Sequence, residues 1–490
     1  TPNRGDALSL AGIAREVHAV TGAELRLPEC RPVAATCDEI RPVSIEAEDL
    51  CGRYASRVIR GLNPKAQTPA WMRERLERLG QRSISALVDI SNYVMLELGR
   101  PTHFFDLDKL QGGITVRWGR EGESIQLLND RVIELSPYYG VIADEAGAQA
   151  IAGIMGGSAD SISDETTSLF IESAFFRQAA IQGRARRLNF STDASFRFER
   201  GVDYGTVVDH LEYITQLVLD ICGTPETRVG PVNDVISSLP EKRVVKMRAE
   251  RCRKVVGVDI PTDFMEEAFR RLGFEFTREG ELFTVTSPTY RFDIEIEEDL
   301  IEEVARLWGY DRLPELPPVE RVTMLPSREG FRSEHDLRRS LAGLGYQELV
   351  NFSFVEEKWE RDFAGNADPI RLLNPIASQL SVMRTQLLGG LVDVLRYNLN
   401  RKEERVRVFE LGRVFFKDSS VEPSDTSVKG VRQPQHVAGL AYGDAKALQW
   451  GERARHVDFY DVKGDIERLA FPLKLEFKPE AFPAFHPGRS

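Results

Sequence analysis

A multidomain α+β protein is what this sequence predicts, on three observations. At 490 residues the chain is far longer than a single hydrophobic core supports. Short runs with strand-like alternation are interleaved with longer runs of helical period, each bounded by glycine, proline or a capping residue. A proline-rich stretch, LPELPP at 313–318, divides the chain into pieces of domain size.

Taken in order, residues 1–45 read as the end piece of an N-terminal domain. LSLAGIAREVHAVTG fits a helix capped by Asp6 and stopped by Gly22. Residues 46–235 alternate strands (ITVRWG, VIEL, TSLFIESAFF) with helices (TPAWMRERLERLG, FRQAAIQGRARRL), many joined by glycine turns, as in an α+β domain. Residues 240–318 form a smaller unit. The strand RVVKMRAE leads to the helix PTDFMEEAFRRLG, with Thr262 as cap and Gly273 as stop; LFTVTSP and an acidic helix follow. A fourth unit, 325–490, opens on SEHDLRRSLAGLGY, a helix capped by Ser333, and contains the alternating strand VRVFELGRVFF.

Composition narrows the function. Hydrophobic residues make up 42% and charged residues 29%, the balance of a soluble globular protein. No run of about 18 apolar residues occurs, so no membrane partner is expected. Five scattered cysteines without a CxxC or Cys/His cluster suggest neither zinc nor disulfides and fit a reducing cytoplasm. With a net charge of −12, any contact with RNA needs a local basic patch. TPNRGDALSL opens as if inside a domain and FPAFHPGRS closes without a finishing element, as in a fragment of a longer protein.

Two regions carry candidate chemistry. Between Asp293 and Glu303 seven carboxylates fall in eleven positions: Asp293, Glu295, Glu297, Glu298, Asp299, Glu302 and Glu303. On a helix, Leu300, Ile301, Val304, Ala305 and Trp308 share one face, while Asp299, Glu302, Glu303 and Arg306 fall opposite. Acids at a helix N-terminus are each stabilising by roughly 0.3–1 kcal/mol. That accounts for Glu298 and Asp299 but less well for Glu302 and Glu303, for which a hard cation such as Mg²⁺ is the other explanation. The second region is Glu172, a carboxylate amid Phe170, Ile171, Ala174 and Phe175, which needs a partner if buried. The local arginines supply one reading and a ligand the other.

Arg291-Phe292-Asp293 followed by IEEDLIEEVARLWGYD resembles the magnesium-binding segment of the bacterial phenylalanine–tRNA ligase beta subunit. The resemblance runs along the chain: TPNRGDALSLAGIAREV resembles the segment after the family's N-terminal tRNA-binding insertion. VDISNYVMLELGRPTHFFDLDKL, ESAFF and STDASFRFERGVD resemble its editing region, and NPIASQLSVMRTQLLGGLV and VFELGRVFF its degenerate synthetase-like core. It implies that 46–235 is an editing (B3/B4-like) domain, 240–318 a B5-like α/β domain with an acidic metal-binding helix, and 325–490 an incomplete, non-catalytic class II synthetase-like core built on an antiparallel sheet. It also implies one structural Mg²⁺ per beta chain on Asp293, Asp299, Glu302 and Glu303. The implied editing pocket contains His103, Gly156, Glu172, Thr192 and Ala194, with Glu172 reading a tyrosine phenol, Gly156 and Ala194 leaving room for the ring, and Thr192 and His103 positioning the ester end or a water. Arg177, Arg184, Arg186 and Arg187 are candidates to hold a tRNA 3′ end.

The implied assembly has two alpha and two beta chains, acts on phenylalanine tRNA, and uses ATP at a synthesis site in the alpha subunit. In the strand Arg407-Val408-Phe409-Glu410 the arginine is one position out of the class II Arg-x-Glu pattern, which points Arg407 away from Glu410 and favours a scaffold role. Two other classes stay open. One is a structural or RNA-binding subunit without active editing. The other is a metal-dependent phosphoryl hydrolase, which the absence of a convergent histidine or P-loop weakens.

Overall fold

The computed structural model describes residues 4–317, 319–324, 326, 332–482 and 484–486. Outside them lie Thr1–Asn3 of the opening segment, Pro318 of the proline-rich stretch, positions 325 and 327–331 where the sequence predicts the fourth unit to begin, and parts of FPAFHPGRS. The chain forms two compact units, Thr1–Val319 and Glu320–Ser490, so the division falls just after the proline-rich stretch. All five cysteines are unpaired, and among the described residues no helix is long and apolar enough to cross a membrane.

In the first unit, a central antiparallel sheet has the order Arg228–Val229, Cys51–Arg60, Ser168–Phe176, Thr102–Asp106, with Asn233–Ile236 also paired to Cys51–Arg60. Every residue of Ser168–Phe176 is buried. Side chains alternate across a strand, so a strand covered on both faces reads as an almost continuous apolar run. Phe170, Ala174 and Phe176 enter a core shared with a second sheet, whose order is Val43–Ile45, Ile114–Trp118, Gly140–Ala143, Ala148–Ile151, Met155–Gly156. Leu169, Ile171 and Phe175 enter a different core, closed by the helices Ala70–Arg78, Ala86–Leu98 and Val207–Cys222. Glu172, in step with Phe170 and Ala174, therefore faces the second sheet.

Three local expectations change. The helix Leu10–Thr21 is stopped at Gly22, in the left-handed region at φ 74°, but its cap is Ser9, whose Oγ accepts from Gly12 N at 3.0 Å. Asp6 instead binds the Arg4 guanidinium. The expected helix over 176–188 breaks into Gln178–Ile181 and Arg184–Arg187, because Gly183 at φ 76° turns the chain between them. Thr262 is the first residue of Thr262–Arg271 rather than its cap; Pro261 precedes it, and the Thr262 hydroxyl bonds Glu281.

Further along the same unit, the strands Val244–Arg248, Leu282–Thr286 and Glu275–Glu279 form an antiparallel sheet with Leu282–Thr286 central. The helices Ala249–Val256, Thr262–Arg271 and Glu297–Trp308 cover it, joining Met247, Phe269, Phe283, Leu300 and Val304 in one core. Burying each such side chain contributes about 1.5–3 kcal/mol.

In the second unit, Val406–Arg413 is the middle strand between Gln347–Glu348, parallel to it, and Gln435–Tyr442, antiparallel to it. The sheet is thus mixed rather than purely antiparallel. The predicted cap holds: Ser333 accepts from Asp336 N at the start of Glu334–Gly343. Glu410 is buried against Arg384 at 2.6 Å, whereas Arg407, three residues back and on the opposite face, meets Asp465 at 3.2 Å and stacks on Tyr346.

Candidate functional site

The five pocket residues named from the sequence, His103, Gly156, Glu172, Thr192 and Ala194, line one cavity of about 560 Å³ in the first unit. The central sheet forms its floor. Glu172 on Ser168–Phe176 stands directly opposite His103 on the edge strand Thr102–Asp106 and directly opposite Ser56 on its other side. Directly opposed residues on antiparallel strands hold their Cβ atoms about 4.5–5.5 Å apart, so these three side chains form a row.

Glu172 is 5% exposed. Burial raises its pKa to about 8, while a long hydrogen bond from the Tyr54 hydroxyl, 3.5 Å, opposes the shift and the charge of Asp160 adds to it. At pH 7 the group is a neutral carboxylic acid. The His103 ring is half-buried with Nε2 fully covered and unpartnered, and this desolvation lowers its pKa to about 4. A neutral imidazole so reluctant to take a proton suits orienting a water better than deprotonating it.

Gly156 is dictated by His103. A Cβ there would lie 2.3 Å from Cε1 and 2.5 Å from Nε2 of the ring. Thr192 caps the short helix Asp193–Phe198, accepting from Ser195 N at 3.0 Å, and its hydroxyl donates to Ile154 O at 2.7 Å. Its hydrogen-bonding capacity is largely used in fixing the wall that carries Ala194. Among the lining residues that escaped the sequence reading are Val88, Ser91, Asn92 and Met95. They share one face of Ala86–Leu98 at i, i+3, i+4 and i+7, and the adjacent polar pair Ser91-Asn92 is the signal that marks it.

Two of the four arginines are drawn into local contacts of the fold. Arg177 donates to Glu48 O and Ser238, and Arg184 to Tyr138 O and Ala179 O. Arg186 and Arg187 remain exposed, with Arg187 stacked on Tyr138.

The acidic segment also differs from expectation. Asp293, Asp299, Glu302 and Glu303 do not converge, and among the described residues no group of three or more His, Cys, Asp or Glu could hold a metal ion. Arg291 donates from Nε and Nη2 to both oxygens of Asp293 at 2.8 Å, and from Nη1 and Nη2 to Glu303 at 3.2 and 2.9 Å. Arg306 donates to Glu303 at 3.0 and 2.5 Å and to Glu16 of the first helix. Asp299 Oδ2 accepts from the backbone N–H of Glu295 and Ile296 at 2.7 and 2.9 Å, satisfying donors at the start of Glu297–Trp308. Glu302 is exposed. Glu295 pairs with Arg243, Glu297 with Arg248 and Arg251, and Glu298 with Arg251. The repulsion is offset by arginines, most of them from outside the helix. The four acids, as arranged here, do not fit the ion that the resemblance implies.

Three family descriptions match consecutive stretches of the chain. The B3/4 domain matches residues 50–223, the tRNA synthetase B5 domain 245–310, and the phenylalanyl tRNA synthetase beta chain CLM domain 313–490. The phenylalanine–tRNA ligase beta subunits of Cupriavidus pinatubonensis and Burkholderia mallei are each 57% identical across 100% of this chain, and that of Ralstonia nicotianae is 55% identical. The chain belongs to the phenylalanine–tRNA ligase beta subunit family.

It spans 60% of the length of each of those beta subunits. All five cavity residues fall inside the B3/4 match, and the acidic helix falls inside the B5 match. An N-terminal fragment of the phenylalanyl-tRNA synthetase beta-subunit from Pyrococcus horikoshii has a TM-score of 0.33 and 15% identity, covering 63% of this chain and 85% of that one, a likeness too loose to bear on fold or site.

Proposed function

We propose that this chain is the editing and scaffolding portion of a phenylalanine–tRNA ligase beta subunit, hydrolysing tyrosine wrongly attached to phenylalanine tRNA. The supporting observation is the cavity itself: a neutral, buried carboxyl on its floor, an imidazole beside it, and about 560 Å³ of space, within the roughly 300–1,000 Å³ of small-molecule sites.

The chemistry explains why a second site is needed. A hydrophobic synthetic pocket rejects a substrate that merely adds a hydroxyl by only about 100-fold. A site that hydrogen-bonds the hydroxyl reverses the preference, because phenylalanine leaves its buried polar group unpaired at about 1–3 kcal/mol. Glu172 is that group, with its carbonyl oxygen accepting the phenol. Gly156 and Ala194 leave the ring its space. Thr192 positions the wall at the ester end, and His103 with the 3′ end of the RNA orients the attacking water. Arg186 and Arg187 are the members of the arginine group left to meet phosphate.

In this reading the second unit is a non-catalytic scaffold, because Arg407 faces Asp465 rather than Glu410. Synthesis with ATP belongs to an alpha subunit, in an assembly of two alpha and two beta chains in the cytoplasm. The acids of Glu297–Trp308 serve here as ion-pair and capping partners, and no step is assigned to a metal.

The test is deacylation by the chain purified together with an alpha subunit. Tyrosyl-tRNA is hydrolysed in preference to phenylalanyl-tRNA, and co-purification precedes any activity. A complex that charges phenylalanine but leaves tyrosyl-tRNA intact favours the structural-subunit alternative.

A further inference from the structure

Residues 173–192 carry four arginines and no acid, in a chain whose net charge is −12. The end of this stretch reaches the rim of the cavity. Ser191, which is exposed, and Thr192 line it, and Phe190 stands just before them. A second segment comes to the same rim. Leu128 lines the cavity, its N–H donating to Gly156 O at 3.1 Å, and the turn that follows, with Asp130 at φ 64°, brings round Arg131. The two segments meet: Arg131 Nη1 donates to Leu188 O at 2.5 Å, and its guanidinium lies over the Phe190 ring, 5.3 Å from the centroid.

The same pairing recurs just upstream. Arg187 lies over Tyr138, 4.4 Å from the ring centroid, and Arg184 lies 4.7 Å from that ring and 5.3 Å from Trp118. Arg184 is tied to Tyr138 O and Ala179 O, so it props the rings, while Arg131, Arg186 and Arg187 are exposed and Phe190, Tyr138 and Trp118 half-buried. The acids on these segments are Asp130 and Glu134, both exposed, and Asp49, which accepts from Trp118 Nε1 at 3.0 Å. A guanidinium beside an aromatic ring offers a base a flat face to stack on and a phosphate a cation to meet. Single-stranded RNA presents both groups at every nucleotide. An acidic peptide would use the arginines and leave the rings idle.

We propose that Arg131 with Phe190, and Arg187 with Tyr138, form a landing surface for the single-stranded 3′ end of a tRNA, the terminal base stacking on Phe190. This rests on the reading of the cavity as a deacylation site and extends it, since that reading assigns only Arg186 and Arg187, and only to phosphate. The surface works by placement. A terminal base held at Phe190 delivers the ester of its own ribose beside Ser191 and Thr192, at the mouth of the cavity. The preceding nucleotides run along residues 183–190, where Arg186 and Arg187 meet phosphates and Tyr138 supplies a second ring.

Deacylation of tyrosyl-tRNA by the chain assembled with an alpha subunit gives the first readout. F190L, which keeps apolar bulk but loses the ring, and R131Q each lower kcat/KM about tenfold, carried mainly by KM. R186Q/R187Q flattens the dependence of log kcat/KM on log salt concentration by about 1.4, as expected for two phosphates of a single strand. Values and slopes equal to the wild type in all three variants overturn the proposal. The second readout needs no hydrolysis. The probe is a tRNA ending in 2-aminopurine in place of the terminal adenine, with tyrosine attached through a stable amide. Stacking quenches its fluorescence on the wild-type complex; the quenching is lost in F190L and restored in F190Y. Undiminished quenching in F190L overturns the proposal, and R131Q, at an exposed position, carries both readouts should F190L unfold. A wild-type complex that quenches the probe through Phe190 yet leaves tyrosyl-tRNA intact keeps the surface and removes the editing reading. One that deacylates with no change in any variant keeps the editing reading and removes the surface.

Discussion

Glu172 and His103 occupy directly opposed positions on neighbouring antiparallel strands, and burial keeps each uncharged at pH 7. An acid and a base side by side would ordinarily form an ion pair. Here desolvation outweighs that gain, and both groups are left ready to make neutral hydrogen bonds with a ligand.

That neutrality has a stability signature. Glu172 has a folded pKa of about 8, above its value of 4.5 in an open chain, so its contribution is fully present below pH 4.5 and is lost as pH rises toward 8. E172Q, which cannot ionise, gains on the wild type across that window. Urea unfolding at pH 4 and pH 8 measures it: the difference between E172Q and wild type moves in favour of E172Q at the higher pH.

Substituting Gly156 by alanine drives a methyl group into the His103 ring. Overpacking of this kind costs about 1–3 kcal/mol and displaces the ring. G156A therefore lowers the unfolding midpoint and reduces deacylation of tyrosyl-tRNA more than aminoacylation of the assembled enzyme, which assays of both reactions compare.

Arg291 is 5% exposed and clamps two carboxylates, Asp293 and Glu303, of which Glu303 is buried. Leaving a buried charge wholly unpaired costs about 3–5 kcal/mol. R291A keeps the Arg306 bonds to Glu303 and so loses less than that, whereas E302A, at an exposed position, stays within about 0.5 kcal/mol of wild type. Denaturant titration of the two variants separates them.

Glu303 also sets an acid limb. Burial alone would raise its pKa, but the hydrogen bonds from Arg306 and Arg291 outweigh it and hold the carboxyl down at about 2. The stabilisation is present above pH 4.5 and lost as pH falls toward 2. Thermal melting between pH 5 and pH 2.5 shows this loss in the wild type and a shallower one in E303Q, which starts from a lower melting temperature.

Much of the architecture was legible because it is periodic. Leu300, Ile301 and Val304 lie on the buried face that their spacing indicates, and Ser168–Phe176, buried on both faces, announces itself as an apolar run broken by one carboxylate. The offset of Arg407 from Glu410 likewise translates into opposite faces of a strand. What failed was non-local. Glu302 and Glu303 read as poorly compensated because helical spacing shows only Arg306, whereas Arg291, outside the helix, also clamps Glu303, and Arg243, Arg248 and Arg251 take up Glu295, Glu297 and Glu298. The five cavity residues were gathered by resemblance; their spacing, from His103 to Ala194, spans too much chain for any local pattern to join them.

In the proposed function Glu172 reads the hydroxyl that distinguishes tyrosine from phenylalanine. Parallel deacylation of tyrosyl- and phenylalanyl-tRNA by wild type and E172A, each assembled with an alpha subunit, tests it most directly. E172A is expected to lose the preference for tyrosyl-tRNA while aminoacylation with phenylalanine persists. Undiminished preference in a folded E172A complex would contradict it.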